Sequence, residues 1–125
     1  MHNENYYITD DNQRVELNPQ YVNFPLYESN LKVLVIQGKV DEVFCWNNNL
    51  TELIVPEGTT GVYCFNNKLT KLVLPDSVVT LYCHNNNLTE LITPKNLRYI
   101  SCDYGLIGVD FKIKYPIIKD VILYI

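Results

Sequence analysis

The chain is predicted to be a mainly β solenoid closed at each end by a cap. Three observations predict it: a recurrence of 19 residues, a period-two alternation inside each unit, and β-rich ends that do not repeat. The recurrence is carried by VFCWNNNLTELIVP, VYCFNNKLTKLVLP, LYCHNNNLTELITP and a degraded ISCDYGLIGVDF, which set Cys45, Cys64, Cys83 and Cys102 19 residues apart. A short fixed period is the mark of a stack in which each unit buries its apolar face only against its neighbours.

The ends come first. Residues 1–20 stand outside the repeat, and Tyr6 to Thr9, Asp10 to Gln13 and Arg14 to Leu17 read as strand, polar turn and strand. Such a hairpin is expected to cover the first coil, because an uncovered terminal coil exposes its core and a strand edge. Counting back by 19 from Val40 gives a first unit at 21–39, with Phe24, Leu26, Leu31, Leu34 and Ile36 at the core places. Units follow at 40–58, 59–77 and 78–96, and a damaged one begins at Leu97. There Gly105 and Leu106 replace the Asn-rich turn one residue short, moving Val109 and Phe111 into the places of Leu91 and Thr93. The repeat region thus ends near 111, and 112–125 forms a C-terminal cap ending in KDVILYI. That tail has strong strand chemistry, so it either closes the last coil or offers an edge to a second chain.

The unit 59–77, TTGVYCFNNKLTKLVLPDS, shows how one coil is built. Val62 and Cys64 alternate with Gly61, Tyr63 and Phe65, a short strand with one face in the core. Asn66 and Asn67 turn the chain, since asparagine tolerates the left-handed region. Leu69, Leu72 and Leu74 return to the core, and Pro75 ends any strand pairing. The return path is too short for a helix, so extended or short 3₁₀ backbone is expected there.

Bulk properties narrow the function classes. A 125-residue chain with 47% hydrophobic and 19% charged residues makes one domain with its own core. The net charge is -4, and the basic residues are scattered apart from Lys112, Lys114 and Lys119, which argues against nucleic acid. The opening MHNENYYITDD lacks a basic region followed by an apolar run, and no later stretch suits a membrane span. The four cysteines hold one place in successive units, about 4.8 Å apart in a parallel stack, and read as buried free thiols. A straight ladder cannot supply tetrahedral metal ligands, so neither metal nor cofactor is expected. Free thiols imply a reducing, intracellular setting, the cytoplasm. The N-x-T acceptors at Asn49 and Asn87 fall out of the repeat itself and are expected to stay unmodified.

The runs TTGVYCFNNKL from position 59 and VVTLYCHNNNL from position 78 resemble the L-x-x-L-x-L-x-x-N-x-L segment of leucine-rich repeats, with Cys in the third leucine's place. In style they are similar to the short repeats of bacterial effectors and of large amoeba-infecting DNA viruses. The resemblance spans about 21–111, although 19 residues is short for the class. It implies a parallel sheet on a concave face, protein binding, and, for an effector or viral protein, the host cytoplasm. It also implies that Asn48, Asn67 and Asn86 form a buried ladder that satisfies backbone groups. Glu52, Lys71 and Glu90 form a charged column that sets register and solubility.

Functional expectations rest on the outward strand positions. One column runs Phe44, Tyr63, Tyr82, Ser101; the next runs Tyr27, Trp46, Phe65, His84, Asp103. Solvated sheet faces normally carry polar residues, so this face is read as a partner-binding surface with aromatic anchors. The alternative is that the stacked rings only stabilise neighbouring strands. In register His84 lies beside Asp103 and diagonal to Ser101, the residue types of a hydrolytic triad, but a shallow face without an oxyanion hole is not expected to be catalytic. The sequence therefore predicts a non-catalytic module for an unidentified protein. A self-assembling homodimer is the alternative, and a carbohydrate-binding module the third reading.

Overall fold

The computed structural model describes residues 5–17, 26–89, 91–106 and 120–124. Phe24, Glu90, Val109, Phe111 and Lys112, Lys114 and Lys119 lie outside the described residues, as do 21–25 of the first unit and 112–119 of the C-terminal cap. The strands are β1 Tyr6–Thr9, β2 Arg14–Glu16, β3 Leu31–Val35, β4 Glu42–Phe44, β5 Glu52–Ile54, β6 Gly61–Tyr63, β7 Thr80–Tyr82, β8 Tyr99–Asp103 and β9 Asp120–Tyr124. They form two sheets in a mainly β solenoid of about four turns.

The five-stranded sheet, in the order β4-β6-β7-β8-β9, is parallel throughout. Its register repeats the sequence period, with Glu42, Gly61, Thr80 and Tyr99 aligned in successive strands. The terminal strand β9 adds to β8, aligning Asp120 with Tyr99 and Ile122 with Ser101. The tail thus extends the sheet by one strand and becomes its outer edge.

The three central coils leave this sheet at an asparagine corner. Asn47, Asn66 and Asn85 have φ of 56°, 57° and 57°, and Glu28 takes the same place in the first coil at 55°. Asparagine fits because its short amide relieves the cost of the left-handed region. Here it also bonds up the stack: Asn85 donates to Asn66, Asn66 to Asn47, and Asn47 to Glu28, at 2.6, 2.7 and 3.1 Å.

The return side goes beyond the expected extended chain near the N-terminus, where it pairs as a sheet. Its sheet runs β2-β1-β3-β5, with β1 antiparallel to β2 and β3, and β3 parallel to β5. The expected hairpin is present, and it covers the first coil by pairing edge to edge with β3, Tyr7 opposite Leu34. The buried Asn5 fastens its base, accepting from the amides of Gln37 and Gly38 at 2.7 and 2.9 Å. Among the described residues of the later return segments, 71–75 and 91–94, no strand forms, and the 3₁₀ turn among the described residues is Tyr104–Leu106, after β8.

Between the sheets, Leu34, Leu50, Leu69, Leu81, Ile100 and their neighbours form a single core. Fully burying such a side chain contributes about 1.5–3 kcal/mol. Cys45, Cys64, Cys83 and Cys102 are all buried free thiols in that core. Burial pushes Cys45 up to about 12 and Cys102 to about 11, and raises Cys64 and Cys83 as well. These thiols stay protonated at neutral pH, so they pack as small hydrophobes.

Candidate functional site

Below the surface, the asparagine ladder holds the strand face rigid. Asn67 accepts from the Leu50 amide at 3.0 Å and donates to the Cys45, Cys64 and Phe65 carbonyls at 3.1, 3.0 and 3.3 Å. Asn48 and Asn86 repeat the pattern one coil down and one coil up. Side-chain amides thereby satisfy the backbone groups that the sharp corner leaves unpaired.

On that frame the outward residues of β4, β6 and β7 and the positions just after them make two aromatic columns. Tyr27, Trp46, Phe65 and His84 stack face to face, with ring centroids 4.5, 5.3 and 4.7 Å apart and planes within 8°. Beside them Phe44 stacks on Tyr63 at 5.0 Å, and Tyr82 meets Tyr63 at 5.2 Å with a 63° tilt. Phe44 also touches Trp46 edge-on at 6.0 Å, which joins the columns. Most of these rings are half-buried, and Tyr27 is 41% exposed. Because Trp46 and Phe65 have both faces covered by neighbouring rings, they present their edges outward. Edges carry the positive side of the ring quadrupole and favour acceptor oxygens or the faces of other rings.

Ser101 shares the column but not the surface, since it is 1% exposed. Its hydroxyl meets His84 Nδ1 at 2.8 Å and locks the imidazole over Phe65. Burial lowers the His84 pKa, partly countered by Asp103. Asp103 is also structural. Its carboxylate accepts from the Asn85 and Asn86 amides at 2.7 and 3.3 Å, where lower coils use the next coil's carbonyls: Asn66 donates to His84 and Asn67 to Asn85. Since the last coil has lost its Asn corner, a side chain replaces those carbonyls. The three residue types do meet, but the serine is buried and the carboxylate is committed to backbone amides.

Sequence reasoning missed one further pair. Tyr63 donates to Glu42 Oε2 at 2.9 Å, and its pKa is pushed up to about 12 by burial first and by Glu42 second. Gly61 makes room for this bond, because a Cβ there would lie 2.8 Å from Glu42 Oε2. The signal was available in the column Glu42, Gly61, Thr80, where the smallest residue lies between the carboxylate and the next coil.

The described residues contain no cluster of three or more His, Cys, Asp or Glu suited to a metal ion. Among the described residues no helix is long and apolar enough to cross a membrane. No family model, curated protein or solved structure matches this chain.

Proposed function

We propose that this chain is a non-catalytic interaction module of leucine-rich-repeat type that binds a partner protein through the outer, concave face of its five-stranded sheet. The carrying observation is the joined pair of ring columns on a rigid parallel frame. Aromatic anchors bind best when they lose little freedom on association, and here stacking has already removed it. Edge-on presentation suits a polypeptide, whose carbonyls and aromatic side chains complement ring edges. It suits a sugar less well, since sugar rings stack on flat faces and both faces of Trp46 and of Phe65 are covered by neighbouring rings. The burial of Ser101 and the commitment of Asp103 support a binding role over catalysis. Four buried free thiols suit work in a reducing compartment, the cytoplasm of the cell or of a host.

The test uses Trp46, the only tryptophan, as both anchor and reporter. Partners selected on the intact chain should quench its fluorescence and bind at least tenfold more weakly to Trp46→Ala and Tyr63→Ala, with unchanged far-ultraviolet circular dichroism. Unchanged affinity for every partner in both variants would sink the proposal. Self-assembly is the second reading, favoured by β9, which is hydrogen-bonded to β8 on one side and ends the sheet.

A further inference from the structure

A second surface lies on the return side, independent of the aromatic face. There β5 is the edge of the four-stranded sheet and, among the described residues, pairs with β3 alone. The Ile36 amide donates to the Ile54 carbonyl at 2.9 Å, so the polar groups of Ile54 face β3. By alternation those of Leu53 face the other way, toward residues 71–75 of the next coil. That segment has no strand, and no backbone hydrogen bond crosses from 52–57 to 71–75. Ladder contact stops at the Lys68 amide, which donates to Leu50, and resumes only where the Gly58 amide meets the Ser77 hydroxyl.

The unzipped stretch opens as a groove of about 590 Å³. Ile54, 40% exposed, and Val73, 66% exposed, form its apolar part, and Pro75 closes one end. Its rim carries Glu52 and Glu57 against Lys71, an excess of one negative charge. The opposite edge of the same sheet is quite different. Strand β2 presents Arg14 and Glu16, paired at 2.9 Å, which is how exposed edges are kept from recruiting strands.

We infer that the β5 edge is a docking site for an extended peptide of a partner protein, which adds as a strand along Leu53. Its β-branched side chains would cover Ile54 and Val73, and a basic residue would face Glu52 and Glu57. Main-chain bonds supply the affinity in this mode of recognition and alternate side chains supply the selectivity. An apolar groove bordered by an open backbone edge satisfies both needs, and its negative rim fixes the sign of the partner's charge.

The experiment needs no known partner. In the free chain, amide hydrogen exchange at Leu53 should be at least tenfold faster than at Ile54, whose polar groups face β3; equal protection would mean the edge is closed and end the proposal. The probe is the synthetic peptide acetyl-Lys-Val-Thr-Val-Lys-Val-amide, titrated into labelled full-length chain and followed by backbone amide shifts. Saturable shifts at Leu53, Val55 and Val73 are expected, with Leu53 exchange slowed at least tenfold at saturation. The same peptide N-methylated at alternate residues should bind at least tenfold more weakly, as should the unmethylated peptide to Val73→Lys, a substitution at an exposed position that removes apolar surface and repels the peptide's lysines. Because backbone pairing tolerates sequence, no saturable shift at millimolar peptide overturns the inference. Equal binding of the N-methylated peptide, or shifts confined to β9 or the aromatic face, overturns it as well.

Discussion

Asparagine does two different jobs in adjacent positions. Asn66 holds a left-handed backbone at the surface, while Asn67 is buried and bonded to four backbone groups. Asn67→Ala leaves the buried Leu50 amide without its acceptor, at a cost of about 1–3 kcal/mol, and removes one of two donors from the Cys45, Cys64 and Phe65 carbonyls. The substitution should therefore lower unfolding free energy in urea by about 2–4 kcal/mol, whereas Asn66→Gly should change it by less than about 1 kcal/mol, because glycine takes the same φ freely. His84 gives a pH prediction. Its pKa is lowered in the fold by burial, so the unfolded chain takes up this proton first as pH falls through about 6.5. Stability is then fully present above that pH and declines below it. The urea midpoint should fall between pH 7 and 5.5, and His84→Phe, which keeps a ring on Phe65, should flatten that slope; an unchanged slope would show that His84 is not the group responsible. The repeated positions of these residues could be read from spacing alone. The role of Asp103 could not, because it depends on the carbonyls that a missing corner fails to supply.

At the scale of elements, alternation located the strand side well. The expected strand of the unit 59–77 appears as Gly61–Tyr63, and the hairpin strands as Tyr6–Thr9 and Arg14–Glu16. The return side was legible only as extended chain. T-E-L-I-V-P pairs as a strand in one coil, while the near-identical T-K-L-V-L-P does not in the next. The difference lies in what each segment meets: β5 has β3 beside it, and β3 is held from its other side by the hairpin. A pattern within one unit carries no record of its neighbour's neighbour. The hairpin also shields the sheet edge with charge, which can be measured. Replacing Arg14 and Glu16 together by valine should turn β2, already carrying the exposed Val15, into an apolar edge. Concentration-dependent association by sedimentation is the expected result. If the double variant sediments as the parent chain does at every concentration, those charges are not what protects the edge.

For the whole molecule, the two ends are finished differently, and this asymmetry bears on assembly. The N-terminal side closes with an antiparallel hairpin that ends in a charged strand, whereas the five-stranded sheet ends at β9, with Ile122 48% exposed. A parallel sheet with an apolar last strand can continue only by recruiting another strand, and two copies of β9 could meet about a two-fold axis. Such pairing would set Ile122 against its symmetry mate and run the sheet through both subunits. Molar mass by light scattering over a hundredfold range of concentration, on the full chain and on one truncated after residue 116, separates the possibilities. A dimer lost on truncation makes β9 the interface and leaves the aromatic columns free for a partner. A dimer that survives truncation places the contact on the aromatic face, because the edge has then been removed and the rings remain; Trp46→Ala should dissolve it. A full chain that stays monomeric makes β9 a terminal strand only, and the search for a foreign partner then belongs on the aromatic columns and the β5 groove.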